Sequence, residues 1–520
     1  MPTLNWIGKE AVVNHDKEVP FKLLKKVKSI SVGNSQNLII KGDNLEALKA
    51  LMPYYTGKIK FVYIDPPYNT GNEQWVYNDK VNSPKIKKWL GKVVGGESQD
   101  LCRHDKWLCM MYPRLKLIKD LMSDDSVIFV SIDDNEQEHL KILLGEIFGQ
   151  NNFITQITRE AIKGGSQSKF IRNTHDYIFV YAKNIDLIKF SGIEQEGVIL
   201  NLKDEKGPYA IGRELNKWGA GSRREDAPGM YFPVSGPNGE EVYPIRNDGS
   251  EGRWRLGKKN MVKKVKEGNV IFKKRKDGTY IVYEKIRDNS PKIKQFISIF
   301  KDNYINAKGS ERLKKLFNTQ RAIFDYSKPV ELILDLMIMA NLDKDSIILD
   351  SFAGSGTTGN AVMELNRGDK GNRKFILIEM EDDVAKKITA ERIKRAIKQE
   401  GYKEGFEYCE LDKPLFNEEG QIEETCNFNQ FATYIYFTET QTNIDKKQIS
   451  GNFIGEYSET DYYLIYKEKL KNVLNKSFLN KIKKNKNKKV IYADKCLIDE
   501  DILKEYNIQF KQIPYEVKVY

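Results

Sequence analysis

Apolar side chains in the first third of the chain follow two alternating rhythms. Nearly continuous apolar runs at 37–41 (NLIIK), 58–64 (KIKFVYI), 126–132 (SVIFVSI) and 176–182 (DYIFVYA) predict short buried strands. Between them, 106–122 repeats apolar positions at helical spacing, and an amphipathic stretch runs from Asp133-Asp134-Asn135 to Phe148. Asp43 and Asn44 precede Leu45, where short polar side chains suit a helix start. Strands alternating with helices predict a parallel sheet covered on both faces.

The rhythm breaks near residue 190. From there to about 320 the chain is rich in Gly, Lys, Arg and aromatics, with strand-like pieces at 269–273 and 279–284. The alternation then returns. A helix is predicted at 330–340, a strand at 346–350, a helix at 356–366, a strand at 374–379 and a helix at 383–400. A β-leaning region follows, with a Lys/Asn-rich stretch at 481–489 expected to be a solvated loop or helix end. The expected organisation is a split core domain at 1–190 and 321–405, an insertion at 191–320 and a C-terminal region at 406–520. No repeat of fixed period is visible.

Length and charge sharpen this picture. With 520 residues the chain has room for several domains, and 40% apolar with 30% charged residues is a globular composition. Its formal net charge of +12 makes nucleic acid the first partner to consider. Five cysteines, at 102, 109, 409, 426 and 496, form no disulfide framework, so a reducing cytoplasm is expected. No apolar signal core opens the chain and no run approaches the ~20 residues of a membrane span.

Chemistry is concentrated in two motifs. Residues 346–366 (SIILDSFAGSGTTGNAVMELN) place Gly354, Gly356 and Gly359 as G-x-G-x-x-G between a strand and a helix. Glu379 ends the next strand, 20 residues past Gly359, where a carboxylate can accept from ribose hydroxyls. A phosphate loop of the NTPase kind is excluded, because Asn360 and Ala361 stand where Lys and Ser/Thr are required. NAD and S-adenosylmethionine both remain compatible with the motif.

The second motif is FVYIDPPYNTG at 61–71. A hydrophobic strand delivers Asp65 to the sheet edge, and two prolines fix a rigid turn with free carbonyls. A carboxylate and a proline carbonyl can accept both hydrogens of an exocyclic amine, exposing its lone pair to an electrophilic methyl group. Tyr68 can stack on the base, a contact worth about 1–3 kcal/mol. Such a base must first leave the duplex. The plain alternative for Asp-Pro-Pro-Tyr is a strand-ending turn.

Asp65-Pro66-Pro67-Tyr68 and Phe352-Ala353-Gly354-Ser355-Gly356 resemble the catalytic and cofactor motifs of amino-group DNA methyltransferases, and their order resembles the permuted beta group. GDNLEAL at 42–48, SVIFVSIDDNE at 126–136, FDYSKPVELI at 324–333, GNRKFILIE at 371–379 and FKQIPYEV at 510–517 resemble the modification subunits of type III restriction-modification systems.

The resemblance implies an α/β fold. It consists of a Rossmann-like, circularly permuted methyltransferase sheet with an inserted target-recognition domain and a C-terminal α+β region. It implies that Asp65 and the carbonyl of Pro66, in the turn with Pro67, bind the target amine while Tyr68 stacks. Asp350, Phe352, Ala353, Gly354 and Gly356 then line an S-adenosyl-L-methionine pocket. Thr357 and Thr358 suit its carboxylate, Glu379 its ribose, Asp43 and Asn44 its adenine side, and Lys328 its methionine end. Ser327 stands where the family pattern leads one to expect proline. Double-stranded DNA, a second copy of the chain and a helicase–nuclease subunit are the implied partners.

Within that resemblance, aspartate at position 65 favours adenine over the cytosine amino group. Methylation at cytosine carbon 5 is excluded, since no cysteine follows a proline. A cytosine-amino enzyme and a non-catalytic DNA-binding subunit stay open as alternatives. No metal is expected: Cys102, His104 and Cys109 lead into an apolar helix face, and capping explains Asp133, Asp134 and Glu136. DNA contact is expected from the insertion, through Arg223, Arg224, Arg253, Trp254 and Arg255, with Trp254 equally suited to a small core.

Overall fold

The six strands predicted outside the insertion lie side by side within one ten-stranded sheet. In the computed structural model, residues 3–33, 35–70, 100–164, 170–195, 197–416, 422–423, 425–467 and 471–513 are described. Gly71 of the 61–71 motif and residues 514–517 of the last familial motif lie outside the described residues. The sheet comprises β1 (Lys22–Lys26), β2 (Leu38–Lys41), β3 (Ile59–Ile64), β4 (Met122–Ile132), β5 (Phe153–Glu160), β6 (His175–Ala182), β7 (Ile299–Phe300), β8 (Ile347–Asp350), β9 (Lys374–Glu379) and β10 (Glu407–Pro414). Their order is β1-β10-β2-β9-β8-β3-β4-β6-β5-β7.

The run from β10 through β2, β9, β8 and β3 to β4 is parallel. The sheet is nevertheless mixed: β1 runs antiparallel to β10, and β6 antiparallel to both β4 and β5. The sequence pattern missed β5, whose FITQITRE is only partly buried. Helices α1 (Asn44–Tyr55), α2 (Asp100–Leu121) and α3 (Gln137–Phe148) join the early strands. Helices α4 (Asn306–Phe317), α5 (Val330–Met339), α6 (Thr357–Asp369) and α7 (Glu391–Glu400) belong to the later half. The helix expected over 383–400 begins as a wider π-helical turn, Val384–Ala390, before α7. Among the described residues, no helix is long and apolar enough to cross a membrane.

The distance between the two motifs along the chain leaves no mark on the sheet centre. β8 pairs with β3 in parallel, Leu349 beside Val62, although 287 residues separate them (349 − 62). Both strands therefore end on the same edge, where ligands bind in open α/β sheets. On the other side of β8, Glu379 at the end of β9 is abreast of Lys41 at the end of β2.

The chain divides into two compact units, Met1–Ser191 with Ile297–Tyr520, and Gly192–Phe296. Residues 297–320, read from sequence as part of the insertion, lie in the first unit because β7 pairs with β5 and α4 packs on α7. The C-terminal region also belongs to it. Its sheet of 453–457, 460–464, 488–493 and 508–512 shares an apolar cluster with helix Phe428–Thr440 and Leu23 of β1. The 481–489 stretch is a loop that feeds the strand Lys488–Ala493.

The second unit centres on a four-stranded antiparallel sheet and a small core of Leu215, Phe232, Val234, Met261 and Val282. Trp254, equally suited by sequence to a DNA contact or a small core, is part of this core and not available as a DNA contact: it is fully buried and donates from Nε1 to the Phe232 carbonyl at 2.8 Å. Burying its ring is more favourable than exposing it, once the indole N–H has a partner.

Local sterics shape the glycine loop. Gly354 and Gly356 have φ of +49° and +79°, the left-handed region that glycine enters without cost. A Cβ on Gly359 would stand 2.9 Å from Ile393 Cδ1 and 3.0 Å from Leu377 Cδ1. Its absence lets α6 lie tightly on the sheet. Asp350, at the end of β8, is buried and accepts from Phe352 N at 3.0 Å and Thr358 Oγ1 at 2.5 Å. Burial outweighs these bonds and pushes its pKa up to about 7.

Two outcomes are expected. Gly359→Ala should lower stability by about 1–3 kcal/mol through overpacking, read from urea midpoints; an unchanged midpoint contradicts the close packing. Between about pH 4 and pH 7 the folded chain keeps the Asp350 proton that the unfolded chain has released, so stability falls as pH rises. The stability of the unaltered chain relative to Asp350→Asn should therefore drop between pH 5 and pH 7, by at most about 1.4 kcal/mol per pH unit, and level off above pH 8. A flat difference across that range contradicts it.

Candidate active site

Asp65 leaves β3 into the Pro66-Pro67 turn, and its two carboxylate oxygens take different partners. Oδ1 accepts from the Tyr68 hydroxyl at 2.8 Å and Oδ2 from Lys328 Nζ at 2.5 Å. Lys328 Nζ also donates to the Tyr68 hydroxyl at 3.1 Å and lies 5.1 Å from the centre of its ring. Lys328 sits just before α5, so this ion pair joins the two halves of the split core. The Lys328 side chain is only 7% exposed and that of Asp65 is 24% exposed, so little water screens the pair. Burial, then the Asp65 carboxylate, holds the Tyr68 phenol well above its ordinary range.

The turn is fixed from behind. Trp107 of α2 donates from Nε1 to the Pro67 carbonyl at 2.7 Å. Arg159 of β5 is fully buried, donates to Asp176 Oδ1 at 2.7 Å, and so holds the carboxylate whose Oδ2 lies 3.4 Å from the Tyr68 hydroxyl. Asn69, with φ of +59°, is buried and donates from Nδ2 to Glu136. Glu136 is the N-cap residue of α3, but its side chain makes no capping bond: it turns inward to Asn69, to His104 Nδ1 at 2.6 Å and to His139 Nδ1 at 2.9 Å. The adjacent Glu136 carboxylate raises the His139 pKa. Asp133 does form the expected local turn, accepting from Asn135 N at 2.9 Å.

These three side chains, His104, Glu136 and His139, are the described group whose donor atoms lie close enough to share an ion. Within the group, His104 is hydrogen-bonded to Glu136 Oε1, whereas Glu136 Oε2 and His139 Nδ1 are buried without a hydrogen bond among the described residues. Cys109, weighed above beside His104, faces elsewhere and accepts from Trp6 Nε1 at 3.3 Å; the side chain of Cys102 lies outside the described residues. The four other cysteines are free thiols.

The glycine loop lies on the next strand end. Glu379 is buried, and its carboxylate accepts from Gly354 N at 2.8 Å and Glu381 N at 3.0 Å. Burial raises its pKa despite these bonds. Phe352 and Ala353 are nearly buried, the latter donating to the Ile378 carbonyl at 3.0 Å. Thr357 and Thr358 open α6, where backbone N–H groups and the helix dipole favour an anion. Their hydroxyls, however, are committed inside: Thr357 Oγ1 donates to the Lys328 carbonyl at 3.1 Å, and Thr358 to Asp350.

Asp43 and Asn44 act as scaffold. Asp43 caps α1 at Leu45 N (2.9 Å) and Glu46 N (3.3 Å) and pairs with Arg114 Nη2 at 3.1 Å. Asn44 Nδ2 donates to the Ser351 carbonyl at 3.2 Å and its Oδ1 accepts from Arg114 Nε. Thus α1 is tied to the strand-end turn that begins the glycine loop.

In the second unit, the four candidate arginines gather on two chain segments bridged at Asn216–Trp254 and Arg223–Gly252. Arg224 pairs with Glu251 at 2.7 Å, Arg253 donates to the Gly221 carbonyl at 2.6 Å, and Arg255 lies over the exposed ring of Trp218.

Sequence reading missed Trp107, Arg114, Arg159, Glu136 and Arg392, all of them positioned by packing across the fold. Only Glu136 carried a signal, as the last residue of the quoted SVIFVSIDDNE.

Comparison with known proteins completes the picture. The N6/N4 methyltransferase family, described as DNA methylase, matches residues 59–391, well over half of the chain. The type III restriction-modification enzyme EcoPI Mod subunit of Escherichia phage P1 is 35% identical over 430 residues, covering 74% of this chain and 64% of the relative. The chain's match thus spans just under two thirds of that protein. The EcoP15I Mod subunit of Escherichia coli is 29% identical over 496 residues, covering 84% of this chain and 75% of the relative. The type II methyltransferase M.KpnI of Klebsiella pneumoniae is 32% identical over 378 residues, covering 70% of this chain and 85% of the relative. With both motifs at adjacent strand ends and the family match spanning them, the chain belongs to the N6/N4 DNA methylase family.

Proposed function

We propose that this chain is an S-adenosylmethionine-dependent DNA adenine methyltransferase and the modification subunit of a restriction-modification system. One observation carries the reading. The Asp65–Tyr68 turn and the Gly354–Gly356 loop stand at the ends of adjacent parallel strands and are linked by Lys328.

The residues fit the cofactor. Two positive-φ glycines leave positions 354 and 356 of the loop without a Cβ, a buried glutamate stands beside them, and α6 presents its N-terminus. Glu379 would take the ribose, the Gly354–Gly356 loop the nucleoside, and the start of α6 the amino-acid end. When bound, the cofactor supplies an electrophilic methyl group on a sulfonium.

The chain's own residues prepare the acceptor. Asp65 accepts one hydrogen of the exocyclic amine and the Pro66 carbonyl the other, which turns the nitrogen lone pair outward. The Trp107 bond to Pro67 holds the turn, leaving the preceding carbonyl for substrate. Tyr68 stacks on the everted base, with its hydroxyl anchored on Asp65. Lys328 keeps the carboxylate oriented as an acceptor. After transfer, the methylated amine loses one proton, to Asp65 or to water. Aspartate at position 65 favours adenine within the family resemblance, and the Mod subunits among the relatives support assembly with a restriction partner. The second unit, Gly192–Phe296, reads the target sequence, and a second copy of the chain completes the assembly.

Asp65→Ala should reduce methyl transfer to DNA by at least about a hundredfold while affinity for S-adenosylhomocysteine changes by no more than about threefold. Transfer within about tenfold of the unaltered chain contradicts the assignment. Mass spectrometry of the modified nucleosides should give N6-methyl-2′-deoxyadenosine; N4-methyl-2′-deoxycytidine instead contradicts the choice of base. Arg253→Ala with Arg255→Ala should weaken binding to the recognised duplex at moderate salt and leave cofactor affinity unchanged. Unchanged DNA affinity contradicts the placement of target recognition.

A further inference from the structure

Arg392, at the start of α7, is fully buried behind the glycine loop. Its Nη1 donates to Thr357 Oγ1 at 2.8 Å and Ser355 Oγ at 2.9 Å, with longer contacts to the Ser355 carbonyl at 3.4 Å and Ser327 Oγ at 3.5 Å. Its Nε and Nη2 are buried without a hydrogen-bond partner among the described residues. Among the described residues no carboxylate forms an ion pair with it. The nearby acids Glu331 and Glu400 are held by Arg312, at 3.9 Å and 3.0 Å. Burial, then the like charge of Arg312, pulls the Arg392 pKa down to about 9. A buried cation without a counter-ion is costly, and a chain that keeps one has a use for its field.

The hydroxyls it touches form a relay. Ser327 Oγ and Ser355 Oγ are 2.9 Å apart, Ser355 Oγ and Thr357 Oγ1 3.2 Å, and Thr357 Oγ1 donates to the Lys328 carbonyl. By donating to Ser355 and Thr357, Arg392 fixes which lone pairs are taken and so which way these hydroxyls point. The same residues begin α6, where unpaired N–H groups already favour negative charge. Helix terminus and guanidinium therefore add at one spot on the loop.

We propose that Arg392 is a positioning residue for the carboxylate of the cofactor's amino-acid end, acting from behind the loop through Ser355 and Thr357. This rests on the S-adenosylmethionine reading above. A simple cross-brace would affect the whole pocket; a positioning residue for the carboxylate affects only ligands that carry it.

The test is calorimetry on the full chain, unaltered and as Arg392→Lys and Arg392→Gln. The ligands are S-adenosylhomocysteine, its decarboxylated analogue, and 5′-methylthioadenosine, which has the nucleoside and thioether but no amino-acid tail. Arg392→Gln should weaken S-adenosylhomocysteine by about tenfold or more, leave 5′-methylthioadenosine within about twofold, and be largely rescued by Arg392→Lys. Parallel loss of both ligands, or loss of neither, overturns the proposal. Should Arg392→Gln fail to fold, the unaltered chain decides alone. A preference of about tenfold for S-adenosylhomocysteine over its decarboxylated analogue supports the proposal, and equal affinity overturns it. Failure of the unaltered chain to bind any of the three removes the cofactor reading itself, a result distinct from the loss of Arg392's role.

Discussion

The ion pair between Lys328 and Asp65 is the constraint on which the site depends. It crosses 263 positions of chain (328 − 65) and is mostly shielded from water. Losing one member of such a pair strands the other charge, a cost of about 3–5 kcal/mol when burial is complete and less here, where Asp65 keeps some solvent. The pair is more than local glue. Lys328 contacts the Asp65–Tyr68 turn through its ammonium group and the start of the helix after the Gly354–Gly356 loop through its carbonyl, which accepts from Thr357. Chain order therefore matters little: a permuted sequence still brings both motifs to one edge, because β3 and β8 pair and Lys328 spans the gap.

Around that link, the loop and turn are held by groups whose charges are managed in three ways. Asp350 is buried among neutral donors and shifts toward its protonated form. Arg159 and Asp176 bury a matched pair behind Tyr68. Arg392 buries a cation whose hydrogen bonds, among the described residues, go to hydroxyls and a carbonyl. The first two are ordinary solutions to desolvation. The third makes sense where an anion is to arrive.

Much of this was legible in the sequence for a definite reason. β3, β8 and β9 are continuous apolar runs because both faces of the sheet centre are covered, and the signal for such strands is strong. Each chemical motif sits at the end of one of them, so motif and strand were found together. The glycines of the loop were legible because sterics permit little else at positive φ. Edge strands were harder: β5 exposes much of one face and so lacks a clean pattern. The residues that brace the site were illegible for another reason. Trp107 and Arg159 lie on a helix and a strand where a large apolar residue or a surface arginine would give the same pattern, and only the fold brings them to the turn. Trp254 shows a choice the sequence left open: two flanking arginines suited a groove contact and the ring suited a small core, and packing of the unit put the ring inside.

The central claim is that catalytic turn and cofactor loop serve one reaction across one cleft. The most direct measurement is a crystal structure of the full chain with a cofactor analogue bearing an amine in place of the sulfonium methyl. The account predicts that its ribose hydroxyls meet Glu379 and that the amine faces Asp65 and the Pro66 carbonyl. An analogue bound away from the 354–356 loop, or bound there with its amine turned from Asp65, would contradict it.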